Sequence, residues 1–396
     1  MVTVDNFSFA GKKALIRVDF NVPLNSTFDI TDSTRIDEAL PTIRKILADG
    51  GAVILMSHLG RPKEGPQEKY SLKHLTGYLS KVLGARIHFA EDCIGEPAET
   101  AAAALKPGEV LLLENLRFHK QEEKGDVTFA EQLAKLGDIY VNDAFGTAHR
   151  AHASTAVIAQ FFAGKKCFGY LMAREIDNIG KVSSNPEKPF VAILGGAKVS
   201  DKLAIIENLL PKTDRILIGG GMMFTFIKAQ GGQIGNSLCE ADMVDTCRNL
   251  LADAAARGVQ FVLPVDALIN NTFANEGDIQ TVAANAIPDG YMGLDIGPKS
   301  VELFKQALAG SKTILWNGPM GVFEMGNFEN GTKEVAFGVA EATQNGAYSL
   351  VGGGDSVAAV GKYHLKDRVS YVSTGGGAML EFIEGKELPG IAAVLK

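Results

Sequence analysis

The chain has 396 residues, 46% of them hydrophobic and 21% charged, which excludes a disordered, fibrous or disulfide-scaffold protein and, at roughly 150 residues per domain, predicts two or three domains. Its 39 Lys and Arg against 46 Asp and Glu leave a net charge of −7, the wrong sign for a chain that grips nucleic acid, so any anion it binds must meet local positive charge. No apolar run approaches the ~18 residues of a membrane span, and Met1 to Ala10 lacks the basic-then-apolar order of a signal peptide, so a cytoplasmic protein is expected.

In the first half, apolar runs at Ala14 to Val18, Ala52 to Met56, Val110 to Leu113 and Ile139 to Val141 read as strands alternating with helices. Each leads into charged residues: Asp19-Phe20-Asn21, then Ser57 to Arg61, then Glu114 to Arg117, then Asn142-Asp143 through His149-Arg150. If these strands are parallel neighbours, their C-terminal ends gather His58, Arg61, Arg117 and Arg150 at one edge of one sheet. Several guanidinium groups converging there suit a small, multiply anionic molecule. His149 and His152 lack a third ligand at zinc spacing, so packing or a secondary anion contact is expected of them.

Leu171 to Val182 carries apolar residues at Leu171, Met172, Ile176, Ile179 and Val182, the pattern of an amphipathic helix. Ser183 to Glu187 ends it and places a domain boundary near residue 185. The expected division is residues 1–170, a connecting helix or hinge over 171–185, and residues 186–384.

The second half repeats a unit of apolar run, glycine cluster and helix-period stretch at Pro189 to Leu210, Arg215 to Gln230, Ala347 to Tyr363 and Arg368 to Glu384. With the runs before Pro264 and Asn317 this predicts about six strands in a mostly parallel, doubly wound sheet. Glycine clusters at helix starts let amide N–H groups approach phosphates, as a nucleotide requires. Lys198 and Lys202 lie four apart at an expected helix start, where the helix dipole disfavours cations, so they ask for an anion. Asp355 after Gly352-Gly353-Gly354 reads both as an N-cap and as a magnesium ligand. The four cysteines, Cys93, Cys167, Cys239 and Cys247, form no C-x-x-C pair and read as small buried hydrophobes.

The chain lacks G-x-x-x-x-G-K-[ST], G-x-G-x-x-G and G-x-S-x-G, which argues against P-loop, dinucleotide and nucleophile-elbow chemistry. Positioning and charge neutralisation remain, the repertoire of direct phosphoryl transfer.

Arg17 to Pro23, Ser57 to Pro62, Glu114 to Phe118, Asp143 to His152, Leu194 to Val199, Trp316 to Gly321 and Gly352 to Ser356 together resemble, in order, the segments of the phosphoglycerate kinase family. The resemblance covers essentially the whole chain. It implies two doubly wound α/β domains joined by a helix and by a C-terminal segment, residues 385–396, that returns to the first. It implies reversible phosphoryl transfer between ATP and the carboxylate of 3-phosphoglycerate, giving ADP and 1,3-bisphosphoglycerate, by in-line transfer with domain closure. Asp19, Phe20, Asn21, Arg35, His58, Leu59, Gly60, Arg61, Arg117 and Arg150 would bind the triose. Lys202, Gly293, Glu324 and Gly353, Gly354, Asp355 and Ser356 would bind the nucleotide. Arg35 and Lys198 would act on the phosphoryl group, and Asp355 would hold Mg2+. A monomer without membrane or nucleic-acid partners is expected, the alternative being a catalytically silent nucleotide-binding protein of the same fold. Two stretches depart from the family pattern, Asn25 to Asp29 and Gly326, and neither touches a proposed ligand.

Overall fold

A computed structural model describes residues 1–396, which divide into two compact units. One comprises Met1–Asp177 with Glu387–Lys396, the other Asn178–Lys386. The division falls inside the helix Tyr170–Ser183, rather than in the loop that follows it, because that helix contributes residues to both units.

The first unit contains strands β1 (Lys13–Val18), β2 (Ala52–Met56), β3 (Ile87–Ala90), β4 (Val110–Leu113), β5 (Ile139–Asp143) and β6 (Lys166–Phe168). They form one parallel sheet in the order β3-β4-β2-β1-β5-β6. On the central strand β1, Leu15 stands opposite Ile54 of β2 and Tyr140 of β5. Every residue of β2 and β4 is buried, as expected of a parallel sheet covered on both faces. The helix Thr34–Ala48 shows why: Ile36, Ala39, Leu40, Ile43 and Ile46 repeat at helical spacing and pack with Ile16, Val18, Val53 and Leu55 of the sheet. The C-terminal helix Pro389–Leu395 belongs to this unit. Asn142 Nδ2 donates to Gly390 O (3.0 Å), Gly390 N to Ala148 O (2.8 Å) and Lys166 Nζ to Ala393 O (2.8 Å).

The second unit contains β7 (Phe190–Leu194), β8 (Arg215–Ile218), β9 (Gln233–Ile234), β10 (Gln260–Val262), β11 (Asp266–Asn270), β12 (Gln280–Ala283), β13 (Ala286–Ile287), β14 (Met292–Ile296), β15 (Thr313–Asn317), β16 (Tyr348–Val351) and β17 (Tyr371–Val372). Six form the parallel sheet β10-β8-β7-β15-β16-β17, in which Ala192 of β7 faces Leu315 and Ile216. The antiparallel β12-β11-β14 and the two-stranded β13-β9 sit outside it and have no counterpart in the expected pattern.

Two local expectations are corrected. Cys93, Cys167 and Cys247 are buried, but Cys239 is exposed, on the connection after β9. The helix after β7 begins only at Leu203, so Lys198 lies in a non-helical segment and Lys202 at the helix N-cap. No helix is long and apolar enough to cross a membrane.

Candidate functional site

In the first unit the ends of β1, β2, β4 and β5 carry the basic residues, and beneath them lies a polar network. Arg17, fully buried on β1, donates from Nε to Ser154 Oγ (2.8 Å), and its Nη2 stands 3.3 Å from His58 Nδ1. Ser154 Oγ in turn donates to Glu122 Oε1 (2.5 Å), and Ser154 N to Glu122 Oε2 (3.0 Å). Burial pushes the Glu122 carboxyl up, opposed by the charge of Arg17 and the two Ser154 hydrogen bonds.

Above this floor Asp19 pairs with Arg35, the second residue of the helix Thr34–Ala48. Burial would raise the Asp19 carboxyl, yet the guanidinium groups of Arg35 and Arg17 and the Asn21 amide hold it below the usual carboxylate range. A side chain at Gly146 would meet Asp19 Oδ2 at 2.7 Å, so the close approach of that turn needs glycine. Asn21 Oδ1 accepts from Gly60 N (2.8 Å), Phe20 N donates to Ser57 Oγ (2.8 Å) and Arg117 Nη1 donates to Gly60 O (3.1 Å), which fixes three strand ends against one another. Arg61 and Arg150 are exposed at the rim.

His58 and His152 are buried among these cations. Burial holds His58 well below the ordinary imidazole value despite Asp19, and burial with Arg117, Arg17 and Arg150 takes His152 down to about 4. Both are neutral at pH 7, ready to donate or accept a hydrogen bond without adding charge.

The structure thus brings Asp19, Asn21, Arg35, His58, Gly60, Arg61, Arg117 and Arg150 to one sheet edge. Phe20 and Leu59 lie there too, but their side chains belong to the core and leave only backbone to face a ligand. Arg17, Ser154 and Glu122 were not anticipated. The signal for Arg17 was a cation inside the apolar run Ala14 to Val18.

In the second unit the ends of β7, β8, β15 and β16 are glycine-rich, and the glycines interlock. Gly195 N donates to Asn317 O (2.9 Å), Gly196 N to Pro319 O (3.3 Å), Gly220 N to Met320 O (2.9 Å) and Gly352 N to Trp316 O (3.1 Å). A Cβ on Gly195 would stand 2.0 Å from Pro319 O. These amides are therefore spent on joining loops and are not open to a phosphate. The first amides of the helix Gly354–Lys362, by contrast, donate to no neighbouring loop.

Beside that helix start a cavity of ≈ 530 Å3 is lined by Gly196, Gly221, Phe224, Leu238, Gly293 and Pro319 among others, with Glu324 and Asp355 at its polar side. Its apolar walls with few polar groups suit a flat ring system. Gly293 must be glycine, because a Cβ there would stand 2.0 Å from the Phe224 ring. Lys202 Nζ donates to Asn317 Oδ1, whose Nδ2 donates to Gly352 O (2.6 Å). Burial pulls the Lys202 ammonium down, opposed by Asp201, Asp355 and Glu384. Lys198 is exposed.

Two residues behave differently from expectation. The N-cap of the Gly354–Lys362 helix is Gly353, and Asp355, inside the first turn, makes no capping bond, so its exposed carboxylate is left for a ligand. Ser356 is fully buried and its Oγ accepts from Gly318 N (2.6 Å), so its hydroxyl holds a loop and only its backbone remains. Also in the first unit, Asp92, Cys93 and His119 bring ligand atoms within 4.8 Å of one another. Asp92 Oδ1 there already accepts from Cys93 N (2.6 Å) and lies 2.7 Å from His119 Nε2, and burial pushes the Cys93 thiol up, so local hydrogen bonds already occupy the group.

An arginine-lined strand edge in one unit and an apolar cavity beside Lys202 in the other, carried on one chain, are the frame of a two-domain α/β phosphotransferase. A family model described as phosphoglycerate kinase matches residues 4–386. The phosphoglycerate kinase of Porphyromonas gingivalis is 53% identical, with 99% of this chain and 100% of that protein aligned, and that of Chloroherpeton thalassium is 53% identical over 99% and 98%. The solved structure of the Coxiella burnetii phosphoglycerate kinase superposes with a TM-score of 0.91 at 40% identity, covering 100% of this chain and 98% of that one. The chain belongs to the phosphoglycerate kinase family.

Proposed function

We propose that the two clusters are the half-sites of one reaction, in which the chain moves the terminal phosphoryl group of ATP to the carboxylate of 3-phosphoglycerate and, in reverse, forms ATP from 1,3-bisphosphoglycerate and ADP. The observation that carries this reading is the division of labour between the strand-end faces. One offers converging guanidinium groups over a floor of buried counter-charge, the other an apolar cavity beside two lysines.

Arg61, Arg117, Arg150 and neutral His58 hold the triose, with Asn21 and the Gly60 backbone fixing the loop between them. Lys202 and the first amides of the Gly354–Lys362 helix hold the nucleotide phosphates, Glu324 the ribose and the Gly293 side of the cavity the adenine. The acceptor carboxylate is ionised at pH 7 and needs no general base. What the step requires is alignment of two mutually repelling anions and cations over the transferring group's oxygens, supplied by Lys198 and Arg35. Asp355 fits a nucleotide-bound Mg2+, because its carboxylate is exposed on the cavity and uncommitted to capping. That ion would supply charge neutralisation to the phosphate chain. A coupled assay of ATP-dependent phosphorylation of 3-phosphoglycerate tests the assignment, and no turnover with all substrates present would overturn it. A catalytically silent nucleotide binder is not favoured, since Arg35, Lys198 and Asp355 are all present.

Arg35 and Lys198 belong to different units, so transfer requires closure, with the hinge in the Tyr170–Ser183 helix and its flanks over residues 171–185 and the returning C-terminal segment as a second strap. Each ligand alone contacts mainly one unit, so only both together favour the closed form. Small-angle scattering is expected to show a fall in radius of gyration with MgATP and 3-phosphoglycerate together and a smaller one with either. The forward intensity should give the mass of one chain, since both half-sites come from a single copy. A cytoplasmic enzyme is consistent with these metabolite substrates.

A further inference from the structure

Between the strand β7 and the helix that starts at Leu203 runs the segment bearing the reacting lysine. Its beginning is tied to the β15 loop through Gly195 and Gly196, and Lys202 O accepts from Ile206 N (2.9 Å) at its end. The middle is outside any helix or strand, yet two amides there are taken. Val199 N donates to Glu240 Oε2 (2.6 Å), Ser200 N donates to the same oxygen (3.2 Å), and Ser200 Oγ donates to Glu240 Oε1. Glu240 lies 41 residues from Val199 in sequence and is itself held, because its N–H donates to Thr225 Oγ1 (3.2 Å) of a buried helix.

This is not helix capping, since the held amides precede the first helical residue, Leu203. Nor is it a bare surface ion pair. One carboxylate receives three hydrogen bonds from two consecutive residues, and charge-assisted bonds of this kind fix geometry. Burial pushes the Glu240 carboxyl up, but Ser200, Val199 and the Lys198 charge outweigh it and keep it ionised.

We infer that Glu240 is a positioning residue for phosphoryl transfer: by holding the amides of Val199 and Ser200 it fixes the backbone from which Lys198 reaches the transferring group. It acts through the backbone and touches neither substrate. This inference rests on the assignment of Lys198 to the phosphoryl group.

The test compares Glu240→Ala, Glu240→Gln and Lys198→Ala in the full-length enzyme, with kcat, KM for MgATP and thermal midpoint measured for each. Glu240→Ala should lower kcat by about 10–100-fold, as loosened alignment does, with KM for MgATP changed less than about threefold. Glu240→Gln keeps an acceptor oxygen for both amides and should restore kcat to within about threefold of wild type. A Glu240→Ala enzyme with unchanged kcat, or one that loses kcat and nucleotide affinity equally, overturns the inference. So does a Gln variant as impaired as the Ala variant, which would make the role one of charge. If Glu240→Ala does not fold, Glu240→Gln and Thr225→Val decide, the latter expected to lower kcat severalfold at unchanged KM. An active Lys198→Ala enzyme would remove the underlying assignment and the inference with it. An inactive Lys198→Ala beside a normal Glu240→Ala would remove the inference alone.

Discussion

In the first unit the strand ends carry charges whose positions depend on side-chain partners: Arg35 on Asp19, Arg17 on Ser154 and, through it, on Glu122. In the second the strand ends are held by backbone, with Gly195, Gly196, Gly220 and Gly352 donating directly to neighbouring loops. The two units share a parallel-sheet plan and build their strand C-termini from different materials. A small polyanion with no apolar surface has to be gripped by charge, and charge packed this densely needs buried counter-charge. On the proposed assignment the nucleotide brings a ring, so a glycine-made cavity does much of the binding and few cations suffice.

The largest expected effect lies where the materials meet the reaction. Lys198→Ala removes a cation whose interaction grows in the transition state, so kcat should fall by about a hundredfold or more with a smaller change in nucleotide affinity. Near-normal kcat with only a raised KM for ATP would turn Lys198 into a ground-state binder.

A crossed pair of titrations probes the two materials directly. Arg61→Ala should weaken 3-phosphoglycerate binding by about ten- to a hundredfold, the loss of a charged hydrogen bond, and leave MgADP binding as in wild type. Gly195→Ala should do the reverse, because a methyl 2.0 Å from Pro319 O forces the β7 and β15 loops apart. It should also cost about 1–3 kcal/mol of stability, as overpacking does. Equal loss of both ligands in either variant would show that the two half-sites are not separately built.

The last comparison is the pH dependence of stability, in which the units should slope in opposite directions. His152 in the first unit has its imidazole depressed to about 4 from 6.5, so the unfolded chain binds the extra proton between those values and stability falls as pH drops through that window. Asp295 in the second lies beside the cavity with its carboxyl raised to about 7 by burial, against the amides of Gly331 and Ile296. The folded state keeps that proton, so this contribution is present at low pH and lost as pH rises from 3.8 to about 7. His152→Asn should therefore gain on wild type as pH falls below 6.5, and Asp295→Asn should gain as pH rises above 4. Thermal midpoints of the three proteins across this range decide it, and parallel curves would show that neither group titrates differently on folding.

Which features were legible in the sequence follows the same contrast. The long apolar runs of β1, β2, β4, β5, β7, β8, β15 and β16 announce a buried parallel sheet because nothing else tolerates a strand apolar on both faces. β3 and β6 escaped since edge strands are short and half-exposed: Ile87, His88 and Phe89 mix polar and apolar residues, and β6 has only three residues. The arginines of the first site could be read because a side chain names itself. The interlocked glycines could not, since a glycine's partner is a backbone atom of another loop, and no residue type marks which amide is already used. Glu240, Glu122 and Ser154 were hidden for a related reason: their partners lie 41, 32 and 137 residues away, where spacing carries no signal.

The helix Pro389–Leu395 gives the chain an order of assembly. The second unit is an insertion between the main body of the first and its final ten residues, Glu387–Lys396. During synthesis the first unit's strands are all made before residue 170, but Asn142, Ala148 and Lys166 lack their partners until Gly390 and Ala393 leave the ribosome. The first unit, although translated first, is the last to be finished, so a nascent chain that stops before residue 387 carries the whole second unit and an unsealed first one.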